Sequence, residues 1–362
     1  MQGGSRPLAT VVRPALALPD LGAWSVAVLV PWLLGRGTLL LVATAAARQR
    51  GKTFLAGYAV WDGAWYAQIA RDGYGFVSSR GETPWPFFPL FPGVLNVGTR
   101  LGVPASVAGL LVNHLALLLA MTGVWAITLR HGSGREAALA SWALGLCPGS
   151  VALTLLYPDA IFLACGVWAF LALEQRRDAT AALLAAGAAL VRPNGAVLAA
   201  SLGTAVLLGG GTIRRAASVV LPAALAVAAW LAYVWSHTGD PLAFVHAKTA
   251  WHEVTLGSLL TGTDPLPKLD LAPLLIALLV LALGWRRLPT GWLVFAALAL
   301  LPSLGLGILG MPRYVSSCFP VFVACGMALA RVSRSAATVV LAASALGLLL
   351  FGARVLLGVS MP

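Results

Sequence analysis

Two aspartates stand where a carboxylate could carry group-transfer chemistry. Asp62 follows Trp61 in an aromatic stretch, and Asp159 closes the sequence Tyr157-Pro158-Asp159. A carboxylate in such a place can serve as a general base that takes a proton from a hydroxyl group. It can also be a helix N-cap, which accepts hydrogen bonds from free backbone N–H groups. Both roles stay open for each residue.

Two arginines lie in short proline-containing segments between predicted apolar runs. Arg192 opens Arg192-Pro193-Asn194-Gly195, and Arg313 lies in Met311-Pro312-Arg313-Tyr314. A guanidinium binds phosphate through two parallel hydrogen bonds, so this pair of residues could form a phosphate site. The alternative for each arginine is an interface anchor or a pairing with a helix end.

No metal site is predicted from the remaining reactive side chains. His246, Lys248 and His252 share one loop, but two histidines six residues apart without further ligands are weak support for zinc. The four cysteines all lie in apolar runs and none forms a CxxC pair, so each is interpreted as a small buried hydrophobe.

The composition dictates which elements must position these side chains. Of 362 residues, 59% are apolar and 10% are charged, against about 45–50% and about 25% in an ordinary soluble domain. These values exclude a water-soluble enzyme and a disordered chain. A spanning helix needs about 20 apolar residues. We therefore predict an all-α polytopic membrane protein with about eleven transmembrane helices, over runs at about 22–47, 105–129, 137–157, 159–173, 179–191, 195–209, 216–235, 271–284, 290–310, 314–330 and 336–357.

Charge placement predicts the orientation of these helices. The net charge is +12, and five tight connectors between alternate runs carry two arginines each. Positive residues mark cytoplasmic loops, so the N-terminus is expected in the cytoplasm, and nucleic acid is not an expected partner. The whole chain, 1–362, is expected to form one membrane domain with two long outer loops, about 48–104 and 236–270. Arg36 lies within the first span, where a charge needs a protein partner or water, or must snorkel from a tilted helix.

The first outer loop has a helical pattern of aromatic residues. Trp61, Trp65 and Ile69 recur at intervals of four, which predicts a helix lying at the membrane interface. The sequence from Trp85 to Pro92 then holds three prolines among aromatic residues, which forbids a regular helix. Such backbone at membrane depth lines a cavity or is covered by protein; an interfacial aromatic belt is the alternative.

The energy source for any reaction here must also lie in the membrane. The sequence contains no Walker loop, no Rossmann fingerprint and no DxD pair for a metal-held nucleotide diphosphate. A lipid-linked phosphosugar meets the need for an activated donor at the outer face.

Several motifs resemble those of the PIG-V-type mannosyltransferases, which belong to the GT-C class of lipid-phosphosugar-dependent glycosyltransferases. The resemblance covers roughly residues 58–330. Asp159 stands where the family has glutamate, and Pro158 where it has serine. The matching segments, in order, are Trp61-Asp62-Gly63-Ala64-Trp65-Tyr66, Ile69-Ala70, Gly73-Tyr74, Phe87-Phe88-Pro89-Leu90-Phe91-Pro92, Pro148-Gly149-Ser150, Tyr157-Pro158-Asp159-Ala160-Ile161-Phe162, Arg192-Pro193-Asn194-Gly195, Gly239-Asp240-Pro241-Leu242-Ala243-Phe244 to Trp251, and Pro312-Arg313-Tyr314 with Phe319-Pro320.

The resemblance implies a GT-C-like fold and transfer of mannose from a polyprenyl-phosphate donor to an acceptor hydroxyl, with inversion, on the outer face. The bias toward Ala, Gly, Leu and Arg indicates a bacterial homologue. The acceptor is expected to be a lipid or glycan, with membrane lipids around the protein and no cofactor or metal. Asp62 is expected to be the general base, with Asp159 as a second catalytic carboxylate. The donor phosphate is assigned to Arg313, Arg192, Lys248 and His246, and the substrate pocket to Trp61, Trp65, Tyr66, Phe87, Phe88, Tyr157, Asn194 and Tyr314.

Two other functional classes remain open from the sequence. A transporter or flippase for lipid-linked or small hydrophilic cargo would need charged residues along a path open to both sides, whereas eight of the twelve acids fall on the predicted outer face. A noncatalytic membrane subunit that holds a partner enzyme is the third possibility.

Overall fold

The chain is a multi-pass membrane protein built from helices. A computed structural model describes residues 20–78, 81–247, 261, 268–301, 304 and 310–360, and every regular element among them is a helix. Four helices are long and apolar enough to cross a membrane, namely Leu21–Gln49, Ala105–His131, Ile213–Thr238 and Arg334–Leu356. The all-α class is therefore confirmed, while the count of eleven spans stays a prediction.

The helices are labelled in chain order. The first part of the chain forms α1 (Leu21–Gln49), α2 (Phe54–Tyr58), α3 (Asp62–Asp72), α4 (Leu90–Arg100) and α5 (Ala105–His131). The middle of the chain forms α6 (Gly134–Leu146), α7 (Asp159–Glu174), α8 (Asp178–Val191), α9 (Asn194–Leu208), α10 (Ile213–Thr238) and α11 (Ala243–His246). The last part forms α12 (Lys268–Gly284), α13 (Thr290–Leu300), α14 (Met311–Ser316), α15 (Phe319–Leu329) and α16 (Arg334–Leu356).

The segment 48–104 contains the helix that the aromatic pattern predicted. α3 begins at Asp62 and packs against α4, which starts at Leu90 after an irregular stretch. Pro92 falls in the first turn of α4, where a missing N–H costs no helical hydrogen bond. The three prolines predicted irregular backbone from Trp85 to Pro92, but the irregular stretch already ends at Pro89.

The apolar run predicted at 137–157 is not one continuous helix. α6 ends at Leu146, and a short 3₁₀ turn, Pro148–Val151, follows it. Pro148 lacks the N–H that would continue the helix. A Cβ on Gly149 would overlap the carbonyl oxygen of Pro312, so only glycine lets this turn approach the start of α14 so closely.

Arg36 stabilises this break from inside the bundle. Its side chain is 2% exposed, and it donates hydrogen bonds to the Gly145 carbonyl at 3.3 Å and to the Ser150 hydroxyl at 2.9 Å. It also reaches the Ser150 carbonyl at 3.2 Å and the Thr154 hydroxyl. A cation near the carbonyl end of a helix is favoured, because that end carries a partial negative charge. Arg36 thus has the protein partner that a charge within a span requires.

Replacing Arg36 by methionine is expected to destabilise the protein by about 3 kcal/mol, because the buried acceptors of the break would lose their donors. Thermal unfolding of the purified protein in detergent measures this change. Arg48→Gln is the control, since Arg48 is an exposed residue of the same helix. An unchanged midpoint for Arg36→Met would contradict the stabilising role.

Candidate active site

Two carboxylates and two guanidiniums meet at one end of the bundle. Asp62 and Asp159 are the first residues of α3 and α7, Arg192 immediately precedes Pro193 at the start of α9, and Arg313 lies in α14. Arg313 joins the two acids, because its Nη1 donates to Asp62 Oδ2 at 2.8 Å and its Nε donates to Asp159 Oδ2 at 2.8 Å. Arg192 Nη1 donates to Asp159 Oδ1. The four residues form one connected ionic network.

Asp159 is the buried centre of this network. Its side chain has no exposed surface, and Ser317 Oγ donates to Oδ1 at 3.0 Å in addition to the two arginines. Both carboxylate oxygens therefore have partners. Pro158 is the N-cap residue of α7 and makes no side-chain cap hydrogen bond, so Asp159 is not a capping residue either. The contacts suit a residue that fixes the positions of two arginines.

Asp62 is the accessible carboxylate of the pair. Its side chain is 30% exposed and lines a cavity, and only Oδ2 has a hydrogen-bond partner among the residues that the structure describes. The capping alternative does not apply, because the N-cap position belongs to Trp61 and lacks a side-chain cap. The free Oδ1 atom has the accessibility that a general base needs.

The backbone at this point is strained. Trp61 has φ 53° and ψ −128°, a backbone conformation that residues other than glycine rarely adopt. The Asp62 N–H donates to the Tyr157 hydroxyl at 3.1 Å, which holds the start of α3 against the corner before α7. Strain of this kind is found where a functional side chain must be held in a fixed place.

The cavity beside Asp62 has a charged side and an aromatic side. Its volume is about 160 Å³, equal to roughly five water molecules' share of the liquid, on the scale of a single sugar ring. Burial raises the pKa of the Tyr66 phenol above its usual value, with Arg313 acting in the opposite direction. The Tyr66 hydroxyl therefore stays protonated. The lining residues are Asp62, Tyr66, Pro86, Phe87, Phe88, Val191, Arg192, Pro193, Arg313 and Tyr314.

Aromatic rings hold both arginines in place. The Arg313 guanidinium lies 4.4 Å from the centre of the Tyr157 ring. The Arg192 guanidinium lies 5.4 Å from the Phe162 ring and 5.5 Å from the Tyr314 ring. These cation–π contacts favour the charged groups in a site from which water is partly excluded.

Four of the residues predicted for the substrate pocket do not line the cavity, namely Trp61, Trp65, Tyr157 and Asn194. Trp65 stacks on Phe87, and the Trp61 indole donates to the Val355 carbonyl at 3.4 Å. Asn194 is the first residue of α9 and is not among the residues that line the cavity.

The loop cations predicted to help with the donor do not join the described cavity. His246 Nδ1 lies in hydrogen-bond contact with Asp240 Oδ2 at 2.6 Å, its side chain is 65% exposed, and it does not line the cavity. This contact lowers the pKa of Asp240. Lys248 lies outside the described residues. In the described part of the chain no three His, Cys, Asp or Glu side chains group as metal ligands would, and metal independence stays a prediction.

Two features of the site were not predicted from the sequence. Ser317 donates a hydrogen bond to Asp159. Ser317 follows Arg313 by four residues, and this helical spacing is the sequence signal that could have placed both side chains on one face. An aromatic cluster also adjoins the cavity through Phe88, which lies 5.8 Å from Trp230 between ring centres. Trp230 stacks on Tyr233, and Tyr74 stacks on Trp85.

Curated relatives and solved structures give partial matches. No protein-family profile matches the chain. GPI alpha-1,6-mannosyltransferase 2 of Rattus norvegicus is 33% identical over 157 residues, covering 40% of this chain and 31% of the relative. The Mus musculus protein of that name is 32% identical over 168 residues, covering 43% and 33%. The chain therefore matches about a third of the length of these relatives.

Among solved structures, the Archaeoglobus fulgidus oligosaccharyltransferase in complex with zinc and sulfate superposes with a TM-score of 0.47 at 13% identity, over 84% of this chain and 48% of the other. This structural likeness is too partial to identify a fold. The sequence matches to the two mammalian proteins confirm the resemblance found in the motifs, which is to the PIG-V-type mannosyltransferases.

Proposed function

We propose that this protein is a membrane glycosyltransferase that moves mannose from a polyprenyl-phosphate-linked donor to a hydroxyl of a lipid or glycan acceptor. The observation that carries the proposal is an accessible carboxylate, Asp62, beside two guanidiniums in a cavity the size of a sugar ring. The similarity to proteins named mannosyltransferases supports the choice of sugar.

In the proposed reaction Asp62 Oδ1 takes the proton of the acceptor hydroxyl while the hydroxyl oxygen attacks the anomeric carbon. The bond from that carbon to the phosphate oxygen breaks, and the electron pair leaves with the polyprenyl phosphate. A single displacement of this kind inverts the anomeric configuration. The carboxylate provides general base catalysis, which typically contributes about 10²- to 10⁴-fold in rate.

Arg313 and Arg192 would stabilise the charge that grows on the leaving phosphate. Arg313 uses Nε and one N–H of Nη1 for the two aspartates, which leaves donors on Nη1 and Nη2 without partners among the described residues. Donors fixed before the reaction stabilise a developing anion without reorganisation cost. In this scheme Asp159 is a positioning residue, since its two oxygens already hold both arginines and Ser317.

The proposal needs a donor assay with the purified chain. The assay mixes the reconstituted protein with polyprenyl phosphate that carries radiolabelled mannose and with a glycolipid extract from a strain lacking this protein. We expect a labelled acceptor and free polyprenyl phosphate as the products. Mass spectrometry of the extract before and after reaction would identify the acceptor. Movement of intact donor across vesicle membranes without transfer would favour a transporter, and inactivity of the isolated chain would favour a noncatalytic subunit.

The active site is proposed to face the extracytoplasmic side, with the N-terminus in the cytoplasm. A cysteine at Gly75, which is exposed in the first outer loop and has open space around it, is expected to react in intact cells with a membrane-impermeant maleimide. A cysteine at the exposed Arg177 is expected to react only after cell lysis. The parent protein gives the background labelling. The reverse pattern would overturn the orientation.

A further inference from the structure

A second cavity lies at the opposite end of the bundle. It has a volume of about 510 Å³ and lies among the ends of helices α5, α7 and α9 and the starts of α10 and α13. Helix α7 links the two sites, because Asp159 is its first residue and Glu174, which lines the second cavity, is its last. Sixteen residues of helix correspond to about 24 Å. The second cavity is therefore separate from the candidate active site.

Arginines dominate the charged lining of this cavity. Arg130, Arg176, Arg215 and Arg287 line it together with His131, against the single acid Glu174. The five connectors at this end of the bundle carry ten arginines, and in the described part of the chain the acids that pair with them are Glu136, Glu174 and Asp178. The acids can neutralise only part of this charge, so the cavity favours an anion.

The ion pairs that do form leave hydrogen-bond donors unused. Arg215 pairs with Asp178 through Nε at 2.7 Å and Nη2 at 2.8 Å, and its Nη1 has no partner among the described residues. Arg287 pairs with Glu136 through both terminal nitrogens, at 2.6 Å and 3.2 Å, and its Nε has no described partner. An arginine has five N–H donors, so each of these side chains can still bind an anion.

Arg176 is an exposed cation of the cavity. It forms no ion pair within the part of the chain that the structure describes. It follows the end of α7 with φ 60°, where the Arg177 N–H bonds the Ala172 carbonyl at 2.9 Å and closes the helix. Glycine or asparagine is usual at this position. The fold therefore has no local reason to require arginine here.

The walls of the cavity are apolar. Phe170 and Trp292 contribute buried rings, and Leu208, 60% exposed, lies at the edge of the cavity. A free inorganic anion gains nothing from such walls, whereas a phospholipid places its phosphate among cations and the start of its acyl chains against apolar side chains. Basic pockets between transmembrane helices are known to bind anionic headgroups.

We propose that this cavity binds the phosphate headgroup of an anionic membrane lipid through Arg176, Arg215 and Arg287. The binding is independent of the glycosyl transfer proposed above. Occupancy ties the ends of several helices together, so the lipid stabilises the folded protein by mass action.

Thermal unfolding and native mass spectrometry of the detergent-purified protein test this binding. Phosphatidylglycerol is expected to raise the unfolding midpoint saturably and to remain bound as a discrete adduct, while phosphatidylcholine does neither. Inorganic phosphate and soluble glycerophosphoglycerol are added in separate arms. An equal rise with either soluble anion would replace the lipid by a free phosphate compound, and no difference between the two lipids would overturn the proposal.

A matched pair of variants locates the site. Arg176→Asn is expected to weaken phosphatidylglycerol binding about tenfold, the scale of one charge-assisted hydrogen bond, while the unfolding midpoint without lipid stays the same or rises. Arg177→Asn removes the same charge at the neighbouring exposed residue, which does not line the cavity, and is expected to keep the parent affinity. Equal weakening in both variants would mean general surface attraction and would overturn the assignment to the cavity.

Discussion

Asp62→Asn is expected to lower mannosyl transfer by about 10²- to 10⁴-fold, the contribution of a general base. Asparagine has nearly the same shape as aspartate and can still accept the hydrogen bond from Arg313 Nη1, now 2.8 Å from Oδ2. It cannot take up the proton of an acceptor hydroxyl. The rate of labelled mannose transfer by the reconstituted variant measures this loss directly.

The unfolding midpoint of Asp62→Asn separates chemistry from folding, and it is expected to stay close to that of the parent because Asp62 is partly exposed. Asp72→Asn serves as the matched control, since Asp72 is an exposed acid at the other end of α3 whose only described ion pair is a 4.0 Å contact with Arg71. Parent-like turnover in Asp62→Asn would remove Asp62 from the base role.

Helices with a regular pattern of side chains could be predicted from the sequence. The spacing of Trp61, Trp65 and Ile69 predicted α3, and α3 begins one residue after Trp61. The run from 137 to 157 was predicted as one helix although Pro148 lies within it, and Pro148 is the local signal of the break after Leu146. The contacts of Arg36 that stabilise the break could not be inferred, because Arg36 is more than 100 residues earlier in the sequence. Hydrophobic runs mark membrane depth, but not where a helix within that depth ends.

The sequence predicts candidate site residues but not their contacts. Asp62 lies at a predicted helix start, and Asp159, Arg192 and Arg313 lie between predicted apolar runs. That Arg313 bonds both aspartates could not be inferred, since these partners are 251 and 154 positions away. Burial also could not be inferred, and it distinguishes the fully enclosed Asp159 from the accessible Asp62.

The second large effect is expected at Arg313. Arg313→Gln is expected to lower kcat/KM for the lipid-linked donor by about 10²- to 10³-fold, as the loss of one charge-stabilising donor does in other enzymes. Arg313→Lys is expected to fall between the parent and Arg313→Gln, because a single ammonium keeps the charge but lacks the planar fork that reaches both aspartates. Initial rates at varied donor and at varied acceptor concentration measure where the effect lies.

Two further variants decide whether Arg313 acts on the donor or only balances buried charge. Arg71→Gln is the surface control, since Arg71 is 61% exposed in α3, and it should keep the parent rate.

The second variant combines Arg313→Gln with Asp159→Asn, so that the arginine is lost together with the buried carboxylate that it neutralises. If Arg313 only balanced Asp159, the double variant would recover transfer. If Arg313 stabilises the leaving phosphate, stability recovers but transfer does not, because no substituted side chain restores a cation beside Asp62. We expect the second result, and a defect confined to acceptor use would contradict the phosphate assignment.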